Sequence, residues 1–266
     1  MSNPIPADDP RFVIRSDSDG VTTLTLNRPK QFNAMSEELL AALQAELDAI
    51  AADDSVRVVV IAANGRAFSA GHDLKQMRSN PRQEYYDDLF ATCSRMMLTI
   101  HRLPQPVIAK VHGLATAAGC QLVAACDLAV AADTAQFATS GIRVGLFCST
   151  PSVPVSRNMG RKRALELLLT GDFIDAATAA DWGLINRAVP ADELDAAVQA
   201  LAASIVNKSA IAVASGKTMF YRQLEMGLEE AYDYAGTVMA CDMMNADAAE
   251  GIDAFIEKRA PVWSHR

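Results

Sequence analysis

The sequence predicts an α/β fold with a mostly parallel sheet, and three observations carry the prediction. Residues 56–62 (VRVVVIA), 106–111 (PVIAKV) and 127–132 (DLAVAA) are short, nearly continuous apolar runs, the pattern of strands covered on both faces. Segments of helical character lie between them, and strands alternating with helices pair in parallel. From Gly160 onward the chain reads as nearly all helical, broken by one short strand at 185–189. The expected division is therefore a core over residues 1–190 and a C-terminal helical region over 191–266, to which the resemblance given below adds oligomerisation.

Taken in order, residues 12–15 and 21–27 read as two strands joined by the polar turn SDSDG, with Thr alternating against Val and Leu in VTTLTL. Ser36 is placed to cap a helix with Glu37 and Glu38 in its first turn and an apolar stripe of Leu39, Leu40, Leu43, Leu47 and Ile50. Residues 76–82 look like a mobile loop. Over 81–103, Tyr85, Leu89, Phe90, Cys93, Met96, Met97 and Ile100 recur at helical spacing, which predicts a core-facing helix. Residues 137–154, broken by Gly, Ser and Pro, read as a long loop able to wall a site. Beyond it, the stripe Leu194, Val198, Leu201, Ile205 is amphipathic, and Met219, Phe220, Leu224, Met226, Met239, Met243 and Met244 form an adaptable apolar surface.

Composition excludes several classes. The chain has 266 residues, 50% of them hydrophobic, enough for a full core, and a formal charge of -8 argues against non-specific nucleic-acid binding. Its five cysteines show no CxxC pair and lie in apolar surroundings, so they are expected to be reduced and buried. The four histidines have no ligand spacing, and no metal is implied. The most apolar stretch, 113–132, is interrupted by Gln121 and Asp127, so no membrane insertion is expected. The opening MSNPIPADDPRF carries no apolar or Arg-rich leader pattern, and the cytoplasm is the expected location.

Two motifs carry chemistry. In VHGLATAAGCQLVAACD, Val111 to Asp127, the residues Ala115, Ala117, Ala118, Gly119 and Cys120 have so little bulk that a ligand could lie against the main chain where a helix begins. The free N–H groups of such a helix start suit a negative charge or a polarised carbonyl oxygen. The same run would also serve simply to pack a helix closely on a sheet. Upstream, NGRAFSAGHDL has Gly71 directly before His72, a turn able to aim the His72 N–H into the same cleft.

FSAGHDL followed by GLATAAGCQLVAACD resembles the enoyl-CoA hydratase/isomerase family, the crotonase superfamily. NRPKQFNAM at Asn27 to Met35 and DAAEGIDAFIEKRAPVW at Asp247 to Trp263 are similar to its other motifs. The resemblance implies a crotonase-like spiral of repeated β-β-α units with a C-terminal helical domain, assembled as a homotrimer or homohexamer. It implies an acyl-CoA thioester as substrate, coenzyme A being part of the substrate rather than a separate cofactor. The thioester carbonyl would be held by the backbone N–H groups of His72 and Ala118. Arg28, Ser69, Ala70, His72, Asp73, Leu74, Lys75 and Ala118 would then contact the substrate, with Arg28 reaching a phosphate and Asp73 capping or bracing its turn.

The hydratases of this family use two glutamates, and by the resemblance their positions fall on Gln121 and Gly141. Neither an amide nor a hydrogen exchanges a proton near neutral pH. Cys148, Ser149 and Thr150 offer polar but non-acidic groups instead. The combination with VGLFCSTP resembles the branch called enoyl-CoA hydratase domain-containing protein 3, whose members share the lost glutamates. The expected function is thus an enoyl-CoA hydratase-like, lyase- or isomerase-type protein that stabilises an enolate. A thioester hydrolase, an isomerase and a non-catalytic acyl-CoA-binding protein are the alternatives. Restoring the pair as Gln121→Glu with Gly141→Glu is expected to raise hydration.

Overall fold

The computed structural model describes residues 9–265; part of the leader reading therefore falls outside the described residues. The expected hairpin is β1 (Val13–Ser18) and β2 (Val21–Leu26), antiparallel around Asp19 and Gly20, both at positive φ. The helix α1 (Glu37–Ala51) follows, with the Ser36 side chain accepting from the Leu39 amide and the predicted stripe buried.

Three turns of strand, short strand and helix build the centre. The first is β3 (Val58–Ala63), β4 (Ala67–Ser69), α2 (Leu74–Ser79) and α3 (Gln83–Arg102). The second is β5 (Val107–Val111), β6 (Leu114–Thr116) and α4 (Ala118–Ala125). The third is β7 (Leu128–Ala132), β8 (Gln136–Ala138) and α5 (Ser149–Asn158). Then come α6 (Arg161–Thr170), β9 (Ile174–Asp175), α7 (Ala176–Trp182), β10 (Arg187–Val189), α8 (Leu194–Val206), α9 (Ala210–Gln223), α10 (Leu228–Asp242) and α11 (Ala246–Glu257).

Each turn lays one strand in each of two sheets. The six-stranded sheet runs β1-β2-β3-β5-β7-β10, parallel apart from the hairpin, and the four-stranded sheet runs β4-β6-β8-β9, parallel apart from its last pair. This is the expected spiral of β-β-α units. Alternation along β3 explains how the large sheet is covered. Val59 and Ile61 join the main core with α1, α3 and α4, whereas Val58 and Val60 pack with Ile108, Val130 and Ala132 under Leu194, Val198 and Ala202 of α8.

Helix α9 is fastened to this centre by a buried ion pair. Lys217 Nζ donates to Asp127 Oδ2 at 2.7 Å and to the carbonyls of Ile100 and Gln105, while Tyr221 donates to Asp127 Oδ1 at 2.7 Å. The Val107 amide also donates to Asp127, so one carboxylate ties β5 to α9. At the end of the chain, buried Asp247 accepts from the Ser209 hydroxyl and from the Ser264 hydroxyl and amide. A groove of about 770 Å³ lies among α9, α10 and α11, with Met239, Met243 and Met244 exposed nearby.

Three expectations are corrected. The mobile loop at 76–82 is largely α2, because the Asp73 side chain accepts from the Lys75 and Gln76 amides and starts a helix there. The long loop at 137–154 contains β8, a 3-10 turn at Ser140–Val144 and the first half of α5. Pro151 sits in the first turn of α5, where a missing N–H leaves no bond unmade, so that proline did not mean loop, while Pro154 lies inside the helix. All five cysteines are free, but Cys241 is exposed rather than buried. No single helix among the described residues is long and apolar enough to cross a membrane.

Candidate functional site

The site forms where the turn after β4 meets the start of α4. Gly71 has φ +89, and a Cβ added there would stand 2.8 Å from Ala117 Cβ and 3.1 Å from Ala118 N. The peptides Gly71–His72 and Ala117–Ala118 therefore lie side by side. A Cβ on Gly119 would fall 2.2 Å from the Ser69 carbonyl oxygen, so the small residues of the motif do let α4 start flush against β4. Ala117, preceding the helix, has φ 52 and ψ -120, a conformation that strains an L side chain by about 1–3 kcal/mol.

Neither the His72 nor the Ala118 amide donates a hydrogen bond among the described residues. Ala118 is the first residue of α4, so its N–H has no intrahelical acceptor and lies at the positive end of the helix. Both residues line one cavity of about 310 Å³, together with Ala70, Leu74, Gly141, Cys148 and Ser149. Seven of the sequence-predicted site residues thus meet in one place.

The others stand around it. Ser69 is fully buried, and its hydroxyl donates to the Asn33 carbonyl and accepts from the Gly71 amide, which braces the turn. Asp73 caps α2, as expected, and Lys75 is exposed on that helix. Arg28 lies over the Phe12 ring, its Nη1 3.9 Å from Asp73 Oδ2. Gln121 is buried one turn into α4, does not line the cavity, and has an Oε1 with no hydrogen-bond partner.

No carboxylate lines the cavity; its two titratable side chains are His72 and Cys148. Burial pushes the His72 imidazole below its ordinary value, which favours the neutral ring. Both ring nitrogens are sealed from solvent without a hydrogen bond, and the ring meets Phe90 edge-on at 5.5 Å. Burial pushes the Cys148 thiol up, the Gly141 amide opposing, which keeps it protonated. Cys148 Sγ accepts from that amide at 3.3 Å. Among the described residues, the cavity thus holds two amides without an acceptor and no carboxylate to take a proton.

Gly141 also corrects an expectation. A Cβ there would lie 2.5 Å from the Leu146 carbonyl oxygen and 2.8 Å from Cys148 Sγ. The space for a side chain is filled by backbone, so a glutamate cannot simply be put back. Phe90, Met77, Ser140, Val144, Leu146, Phe147 and Pro151, which with Ala117 and Thr150 complete the cavity wall, were not singled out as site residues from the sequence. For Phe90 the helical spacing signalled core packing, and for the residues of 140–151 the sequence marked the segment as a wall without saying which of its apolar side chains line the cavity.

Comparison with known proteins agrees with this architecture. The sequence profile of the family described as Enoyl-CoA hydratase/isomerase matches residues 16–266. The chain is 44% identical over 257 residues to human "Enoyl-CoA hydratase domain-containing protein 3, mitochondrial", covering 97% of this chain and 85% of the relative. The crystal structure of a Mycobacterium smegmatis enoyl-CoA hydratase superposes with a TM-score of 0.94 at 58% identity, covering 95% of this chain and 98% of that one. The crystal structure of human enoyl-CoA hydratase domain-containing protein 3 superposes with a TM-score of 0.93 at 43% identity, covering 95% and 100%. On the profile match and on these identities, the chain belongs to the enoyl-CoA hydratase/isomerase family and has its crotonase fold.

Proposed function

We propose that the protein binds an acyl-CoA thioester and holds the thioester carbonyl oxygen between the amides of His72 and Ala118. The observation that carries this reading is the pair of unused N–H groups brought side by side in an otherwise apolar cavity. Charge that moves onto the carbonyl oxygen as an enolate or tetrahedral centre forms would be met by both donors. One such donor contributes about 3 kcal/mol in enzymes where it has been removed. Arg28, Ser69, Asp73 and Lys75, around the mouth and the turn, are assigned to the coenzyme A side of the substrate or to its support.

A lyase or isomerase of the ordinary family kind needs a carboxylate beside the reacting carbons. Gln121 and Gly141 supply none, and the cavity wall has none elsewhere. This favours a weak hydratase, a hydrolase or isomerase working by other groups, or an acyl-CoA-binding protein. Coenzyme A enters as part of the substrate, and no further cofactor is invoked. The groove among the C-terminal helices and its exposed methionines are assigned to a homotrimer or homohexamer interface. The cytoplasm remains the proposed location, although the human relative's name places it in mitochondria.

Thermal unfolding with and without ligand tests the reading. Acyl-CoA esters should raise the melting temperature, and the corresponding free acids and nicotinamide cofactors should not. No shift with any ester, short or long, would remove the proposal.

A further inference from the structure

The walls of the cavity say what acyl group it takes, an inference that rests on the reading just given. Leu74, Met77, Phe90, Leu146, Phe147 and Pro151 supply most of the lining. Of its polar side chains, three are engaged already, while the His72 ring nitrogens have no partner. Ser140 Oγ shares a 2.6 Å hydrogen bond with Thr116 Oγ1, Cys148 Sγ accepts from the Gly141 amide, and Ser149 Oγ donates to the Phe147 carbonyl. No Asp, Glu, Lys or Arg lines the space, so a charged acyl end would lose water and gain no counter-charge. The lip is apolar too: Val144, Leu146 and Phe147 are 66%, 49% and 37% exposed, and a chain passing between them covers surface that is otherwise wet.

Size narrows the class. A cavity of about 310 Å³ holds about ten non-hydrogen atoms at roughly 30 Å³ each, the share of one molecule in liquid water. The carbonyl oxygen and sulfur of the thioester take two of those places. We propose that the site selects an uncharged aliphatic acyl chain of about eight carbons, with Phe90 among the side chains that bound the space it fills.

Titration calorimetry of the full chain with butyryl-, hexanoyl-, octanoyl-, decanoyl-, palmitoyl- and glutaryl-CoA decides the matter. Affinity should tighten about fourfold per methylene up to octanoyl, the fold-change of a buried CH2. It should then stay flat within about twofold. Glutaryl-CoA should bind at least about tenfold more weakly than hexanoyl-CoA, since its carboxylate finds no counter-charge. Phe90→Ala should move the plateau roughly three carbons longer. Leu146→Ala, on the exposed lip, should flatten the slope and gives a second readout where Phe90→Ala fails to fold. Affinity still rising at palmitoyl, strongest binding at butyryl, or glutaryl-CoA matching hexanoyl-CoA would overturn the proposal while leaving acyl-CoA binding intact. Failure of every ester to bind would instead remove the proposed function beneath it.

Discussion

Gly71 and Ala117 meet so closely that there is room for only one β-carbon between them, and that carbon belongs to Ala117. Their contact sets the spacing of the two free amides that follow each of them in the chain. Gly71→Ala adds a methyl group at φ +89, in a place already occupied. It should lower stability by about 2–3 kcal/mol in urea unfolding, and the thermal shift with octanoyl-CoA should disappear. A stable variant that still binds the ester would mean that the turn can open without losing the site.

Hydration of crotonyl-CoA should be slow in the wild type. Each general acid or base group in such sites is worth about a hundredfold to ten-thousandfold, so the rate should lie at least about a hundredfold below that of a relative with both glutamates. Gln121→Glu with Gly141→Glu should not recover it, because the added Cβ meets the Leu146 carbonyl oxygen. Recovery to within about tenfold, on the scale of one such group, would show that the 141–148 segment yields cheaply. A normal wild-type rate would point to a proton-transfer group not accounted for here.

Asp127→Ala leaves the Lys217 ammonium buried without its counter-charge. Removing one partner of such a pair costs about 3–5 kcal/mol, and Tyr221 and the Val107 amide lose their acceptor as well. Denaturant unfolding of the variant should show that loss, with hydrogen exchange in α9 faster than in β3. A change under about 1 kcal/mol would mean that the pair contributes little beyond what a surface pair does.

Acid should loosen the C-terminal end before the core. Burial alone would raise the Asp247 carboxyl, but the Ser209 and Ser264 hydroxyls and the Ser264 and His265 amides overcome it and hold it at about 2, below the ordinary 3.8. A carboxyl so lowered adds stability that is fully present above its ordinary value and is lost as pH falls through about 2. The gap in urea midpoint between wild type and Asp247→Asn should therefore be wide at pH 6 and close at pH 2. A gap unchanged with pH would assign the effect to packing rather than charge.

What could be read in advance followed from pattern and contact range. The stripe of α1 and the runs of β3, β5 and β7 are long enough to show their periods, and each was anticipated. The three-residue strands β4, β6 and β8 are too short to show any period, and only the family resemblance implied a second set of strands. The turn with His72 and the start of α4 were legible because Gly and Ala mark close backbone approach. The segment from Leu146 to Pro151 was legible as a wall, but not which of its apolar side chains line the cavity, since that depends on how a Gly- and Pro-containing segment folds back on α3 and α4. Ala117 gave no warning of its strained φ, for alanine is not a residue that advertises such a conformation.

Among the described residues, the second face of the six-stranded sheet packs mainly against α8, through Leu194, Val198 and Ala202. During synthesis, Val58, Val60, Ile108 and Val130 all leave the ribosome well before that helix exists. The nascent chain therefore carries a bare apolar sheet face until residues up to 206 have emerged, and translation cut short before then leaves a sticky fragment rather than a smaller working one. The chain's vulnerability to truncation is set by this one late helix, far from the amides that face the ligand.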